Sequence, residues 1–199
     1  MKYPKLRELK EAIKALIFGP YTSRFPYVTH QPFERFRGKP EYHEEDCMGC
    51  AACCQVCPSG ALTFQDNKTK RLLTYRMDQC IFCGQCQVNC PTEKGILLSA
   101  EFDLATTGKR EDLKQTIEKE LAACSSCGEN ILPYDQILWV AKRLGPLTFS
   151  NASLVFFYLR NLGLALREKT STQKELELNR ADRIKILCPK CRREAVLKS

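Results

Sequence analysis

At 199 residues, 44% of them apolar, the chain has the length of one ordinary domain or two small ones. Its longest apolar run, Leu154–Leu159, excludes a membrane-spanning helix, which needs about 18 or more such residues. Thirteen cysteines follow an N-terminus, MKYPKLRELKEAIKALIFG, that has charges throughout and no small-residue cleavage site. That combination excludes a secreted disulfide scaffold and points to metal ligation in a reducing compartment.

The first element is an amphipathic helix over Lys5–Phe18. Leu6, Leu9, Ile13, Leu16 and Ile17 recur at helical spacing, with Lys5, Arg7, Lys10, Glu11 and Lys14 on the other side, and Gly19-Pro20 stops it. A helix of about a dozen residues is marginal alone in water. Its apolar stripe therefore calls for a partner subunit or a membrane interface, with this chain's own core as the plainer choice. The next segment, Pro20–Tyr42, interleaves Pro20, Pro26, Pro32 and Pro40 with Tyr21, Phe25, Tyr27, Phe33, Phe36 and Tyr42, and with Arg24, Arg35, Arg37 and Lys39. The prolines forbid a long helix or central strand. The aromatics and arginines suit an extended arm that wraps a partner.

The next region carries one cysteine pattern twice. Cys47-x2-Cys50-x2-Cys53-x3-Cys57-Pro58 recurs 33 residues later as Cys80-x2-Cys83-x2-Cys86-x3-Cys90-Pro91. This is the bacterial pattern for two [4Fe–4S] clusters, in which the fourth cysteine of each run ligates the other cluster. One cluster is expected on Cys47, Cys50, Cys53 and Cys90, and the other on Cys80, Cys83, Cys86 and Cys57. A tight loop presents three thiolates to one cubane, a short helix follows, and proline then turns the chain away. Gly49 and Gly84 fall where backbone must pass close to a cluster. Zinc knuckles fit this run poorly, because they use two pairs of ligands. Cys54 has no counterpart in the second copy and reads as a small buried hydrophobe. His30 and His43 read as ordinary loop histidines. Ala61–Gln65 and Arg71–Tyr75 read as strands around the turn Asp66–Lys70. Met48, Leu62, Ile81, Phe82 and Ile96 are expected to form an apolar shell around the clusters.

In the tail, Leu113, Ile117 and Leu121 predict a helix running into Cys124-Ser-Ser-Cys127-Gly128, and a second pair follows at Cys188-Pro-Lys-Cys191. Between them lie helical candidates at Asp135–Leu144 and Ser153–Arg167, then a polar stretch, Glu168–Asn179. Trp139, Ile137, Leu138 and Val140 read as core. The four cysteines resemble the knuckles of zinc ribbons and rubredoxins, and predict a structural zinc, with iron, a third cluster or a redox dithiol as alternatives. The formal net charge of +8 counts every thiol as neutral. Two clusters and one zinc, each of net charge −2 when counted together with its four thiolates, bring it to about +2. No nucleic-acid partner is expected.

The cysteine module and its preceding arm, FPYVTHQPFERFRGKPEY, resemble subunit I of respiratory complex I and its relatives in group 4 membrane-bound [NiFe] hydrogenases. The tail, with CSSC and CPKCRRE, looks most like that of formate hydrogenlyase subunit 6 (hydrogenase-4 component H). Complex I subunit I is not expected to carry such a tail. The resemblance implies an α+β protein without catalysis of its own, built on a two-cluster ferredoxin-like module. Its parts would be a helix and docking arm over 1–40, the module over 41–100, and a mostly helical extension over 101–199 with a zinc-ribbon-like site. It would relay electrons between an electron-input protein and a hydrogenase small subunit, held peripherally through partners on the cytoplasmic side of a membrane. No nucleophile–base pair or phosphate loop appears. A complex I-like subunit, a diffusible ferredoxin and a nucleic-acid-binding zinc-ribbon protein are the competing readings.

Overall fold

A computed structural model describes residues 5–19, 22–28, 30–164 and 184–197. The chain divides into two compact units, Met1–Phe36 and Arg37–Ser199. In the first, helix α1 spans Leu6–Phe18, and the Lys5 amide at its start donates to Glu8 Oε2 at 3.1 Å. It ends at Gly19, whose φ of +83° lies in the left-handed region glycine enters without strain. None of its side chains is buried, and Leu6 and Leu16 are 87% and 85% exposed. The described arm residues up to Phe36 form turns and extended backbone, with neither helix nor strand.

The second unit begins with β1 (Pro40–Tyr42), which pairs antiparallel with β4 (Ile96–Leu98), Tyr42 opposite Ile96. The first cysteine run leads into the short helix α2 (Ala52–Gln55), and the second into α3 (Gln85–Val88). Between them lies the expected hairpin, β2 (Leu62–Asp66) and β3 (Lys70–Arg76), in the register Leu62–Tyr75 and Asp66–Arg71.

The helix expected through Leu113, Ile117 and Leu121 is instead a strand, β5 (Lys114–Ala123). It pairs antiparallel along β3, placing Leu73 opposite Ile117, so one sheet joins residues on both sides of position 100. Ile117, Lys119 and Leu121 all point into the core, which is strand alternation. The lysine in the middle hides that period and leaves an apolar spacing of four that mimics a helix. Strand β6 (Asn130–Pro133) completes the sheet order β2-β3-β5-β6. Among its described residues the extension thus adds two strands to its helices.

Helices α4 (Tyr134–Leu144), α5 (Ala152–Asn161) and α6 (Pro189–Leu197) follow. Asn151 caps α5 by accepting from the Ser153 and Leu154 amides. The last residues of the Ser153–Arg167 candidate and the polar stretch Glu168–Asn179 lie outside the described residues. Of the apolar group expected as core on α4, Ile137 is buried, while Leu138, Trp139 and Val140 are half-buried. The Arg143 guanidinium lies 5.1 Å over the Trp139 ring, so this edge of the helix faces solvent with its aromatic covered by a cation.

Three apolar clusters form among the described residues. One joins Tyr42, Leu62, Leu73, Tyr75, Ile96 and Ile117 to Cys53 and Cys86. A second packs Cys124, Cys188 and Cys191 with Leu187 and Ala195, and a third packs Ala122, Ile137, Phe157 and Ile186; Ile131 touches both.

Candidate metal centres

The doubled run folds as a doubled loop. Positive φ occurs at Gly49 and Ala51 in the first copy and at Phe82 and Gly84 in the second. These are equivalent positions, 33 residues apart, so both loops take the same left-handed turns although glycine stands at only one of the two in each. Ala51 and Phe82 hold a conformation that costs a side chain energy, and such strain persists where the surrounding structure imposes it.

The cysteines gather into two quartets, each with three thiols from one run and one from the other. Cys47, Cys50, Cys53 and Cys90 line a small cavity together with Tyr42, Met48, Leu73 and Ile96. Cys57, Cys80, Cys83 and Cys86 line a second of similar size, with Pro40, Leu62 and Phe82. Of the expected apolar shell, Met48, Leu62 and Ile96 are buried and Phe82 is half-buried. Ile81 is 61% exposed and also lines the second cavity. Cys54 lines neither cavity; its sulfur lies 4.0 Å from Cys53 Sγ and packs on the core.

Donors surround the sulfurs. Tyr42 Oη lies 3.6 Å from Cys53 Sγ, and the Phe82 amide donates to Cys80 Sγ at 3.4 Å. Ser59 Oγ lies 3.6 Å from Cys57 Sγ and Thr92 Oγ1 lies 3.3 Å from Cys90 Sγ. Each hydroxyl sits two residues beyond the cysteine that crosses to the other quartet. This pair recurs at the repeat spacing and was visible in the sequence, though its role was not recognised there. Burial pushes the Cys47 and Cys86 thiols up to about 11. Cys53 is drawn down to about 7 by hydrogen bonding from Cys54, with Tyr42 contributing against burial. Sites that raise a thiol's pKa by burial are closed to water, and metal binding then proceeds with loss of the thiol proton.

Arg71 ties the first loop to the sheet. It grips Asp66 through two hydrogen bonds of 2.6 and 2.8 Å, donates to the Gly49 carbonyl at 2.9 Å, and lies over the Phe64 ring. Hydrogen bonding from Arg71 holds the Asp66 carboxyl below its ordinary value. A carboxylate with a depressed folded-state pKa stabilises the fold above its unfolded value of about 3.9, and that stability is lost as pH falls through the folded value. Acid unfolding of Asp66→Asn should therefore show a shallower loss of stability below about pH 4 than the parent. The difference should be under about 1 kcal/mol after solvent screening, read from urea midpoints across the pH range.

The tail cysteines form a third group. The Sγ atoms of Cys124, Cys127, Cys188 and Cys191 all lie within 4.8 Å of one another. Cys124, Cys188 and Cys191 are almost wholly buried. Four thiolates about 2.3 Å from a tetrahedral ion stand about 3.8 Å apart, and the Cys127–Cys188 separation is 3.7 Å. Cys124 and Cys127 come from the link between β5 and β6, where Gly128 takes a φ of +73°. Cys188 and Cys191 lie at the start of α6. Burial alone would raise the Cys124 thiol, but amides of Cys127, Cys188 and Ser126 bring it down to about 7. The Cys188 amide donates to Cys124 Sγ at 3.2 Å, so the second pair supports the first. The donor set and spacing fit a soft tetrahedral ion.

A sheet-backed pair of cysteine loops, each contributing a thiol to the other's quartet, defines a two-cluster iron–sulfur protein of the ferredoxin type. Residues 46–94 match the family described as the 4Fe-4S dicluster domain. The chain is 32% identical over 122 residues to NADH-quinone oxidoreductase subunit I 2 of Geobacter metallireducens, covering 56% of this chain and 92% of that protein. It belongs to the family of NADH-quinone oxidoreductase subunit I proteins. It is also 40% identical over 120 residues to formate hydrogenlyase subunit 6 of Escherichia coli, covering 60% of this chain and 64% of that protein. A third relative is NAD(P)H-quinone oxidoreductase subunit I of Gloeobacter violaceus, at 33% identity over 99 residues; the match spans 46% of this chain and 47% of that protein.

Proposed function

We propose that this chain is a non-catalytic electron-relay subunit of a membrane-associated oxidoreductase of the formate hydrogenlyase or group 4 [NiFe] hydrogenase type. It passes electrons between an electron-input protein and a hydrogenase small subunit on the cytoplasmic side. The observation that carries the reading is the pair of interleaved thiol quartets, each lining its own cavity of similar size. In this reading Cys47, Cys50, Cys53 and Cys90 hold one [4Fe–4S] cluster, and Cys57, Cys80, Cys83 and Cys86 hold the other. Bound there, the clusters supply one-electron oxidation and reduction. The protein's own residues hold them: thiolates ligate, Tyr42, Ser59 and Thr92 hydroxyls donate to sulfur, and Leu62, Leu73 and Ile96 exclude water.

Cys124, Cys127, Cys188 and Cys191 hold one structural zinc in a zinc-ribbon-like site, supported by the closeness of the four sulfurs. Residues 1–40 act as a docking helix and arm, 41–100 as the conducting module, and 101–199 as a metal-stapled extension. The apolar stripe on α1 and the aromatics Tyr27 and Phe33, both strongly exposed, support docking on neighbours. No described helix is long and apolar enough to cross a membrane. An affinity-tagged chain extracted gently with native membranes should co-purify with a larger oxidoreductase, and deletion of 1–40 should release it. Recovery of the intact chain as a lone monomer would overturn the reading.

A further inference from the structure

The two quartets are alike in ligands and cavity size but not in surroundings. Lys119 is the one charged residue buried among the described residues, at 7% exposed. Its Nζ donates to the Glu44 carbonyl at 2.5 Å and to Asp135 Oδ2 at 2.9 Å. Its stem lies against Gly49 so closely that a Cβ there would stand 3.0 Å from Lys119 Cγ. Directly across the sheet, Lys119 on β5 faces Arg71 on β3. Arg71 also reaches this loop, through the Gly49 carbonyl. Two cations side by side thus hold the backbone that carries Cys47, Cys50 and Cys53.

This arrangement is costly. Like charges directly opposite one another destabilise a sheet, and a buried ammonium loses its hydration unless it is paired. Asp66 and Asp135 offset the two cations. Asp135 is 51% exposed, against 8% for the Lys119 side chain, so water screens the carboxylate more than the ammonium. At the second quartet the cation bonded to the loop is Arg37, through the Cys83 carbonyl at 3.3 Å, and it is exposed to solvent.

We propose that Lys119, reinforced by Arg71, makes the first quartet the preferred seat for an electron shared between the two sites. The inference rests on the reading that both quartets hold [4Fe–4S] clusters. A site that gains an electron becomes more negative by one charge, and a desolvated cation beside it favours that state. The electron gained at the first site is the one lost at the second, so no proton or external reductant is needed. Lys119 and Arg71 act as positioning and tuning residues, not ligands.

The test uses the full cluster-loaded chain, titrated anaerobically and followed by the hyperfine-shifted β-proton resonances of the cysteines in each quartet. Lys119→Met should shift the electron distribution about tenfold away from the Cys47 quartet, which is about 59 mV for a one-electron couple. Asp135→Asn, which leaves the ammonium less compensated, should shift it the opposite way. Arg71→Met should move it in the same direction as Lys119→Met. A merely structural role for Lys119 would move the two Lys119–Asp135 variants alike. Shifts of one sign, or none, in variants retaining about eight iron atoms overturn the proposal. A parent chain that lacks about eight iron atoms instead overturns the cluster reading beneath it.

Discussion

The double variant Cys47→Ala/Cys90→Ala should lose one cluster and keep the other, falling from about eight to about four iron atoms per chain. The two cysteines are far apart in sequence and belong to different runs, yet they line one cavity with Cys50 and Cys53. Removing both leaves the quartet of Cys57, Cys80, Cys83 and Cys86 with every thiol in place. If each run ligated its own cluster, the same variant would damage both, and little iron would remain. The companion Cys57→Ala/Cys80→Ala should give the mirror result, with iron kept at the first quartet. Because Cys53 and Cys86 share one core with Leu73 and Tyr75, each variant also needs a folded-state check by circular dichroism. Iron analysis with the spectrum of the surviving cluster separates the two pairings.

The second large effect is expected at the tail quartet. If the tail quartet holds zinc as proposed, Cys191→Ala or treatment with a chelator should release α6 and the approach Ile184–Leu187 from the extension. A structural zinc contributes on the order of 10 kcal/mol to folding in small zinc domains, because its site does not exist in the unfolded chain. Here the four thiols are the centre of their own small core with Leu187 and Ala195. Arg192 carries the constraint onward, bonding Asn151 Oδ1 and Ser153 Oγ at the start of α5. Limited proteolysis should therefore cut the variant in the stretch from Ile184 onward and near Asn151, while the iron content stays at about eight atoms. An unchanged cleavage pattern after metal loss would show that packing alone holds this region.

Much of this was legible in the sequence because the cysteine spacing constrains geometry directly. Three closely spaced thiols call for a tight loop, and the bacterial two-cluster pattern gives the expectation that the fourth cysteine of each run crosses. The β2–β3 hairpin and α1 were legible from alternation and amphipathicity. The extension misled for a definite reason. Lys119 occupies a core position on β5, so a polar letter broke the strand pattern at its centre and left Leu113, Ile117 and Leu121 at a helix-like spacing. Only tertiary structure, with Asp135 on α4 and the Glu44 carbonyl as partners, explains why a lysine is tolerated there. The left-handed turns at Ala51 and Phe82 were hidden likewise, since neither residue type announces a positive φ.

The central claim is that two interleaved quartets hold two [4Fe–4S] clusters. Anaerobic purification, metal analysis and electron paramagnetic resonance after dithionite reduction test it most directly. The account predicts about eight iron atoms and one zinc per chain, with interacting S = 1/2 signals from two reduced clusters. About four iron atoms, or none, would contradict it.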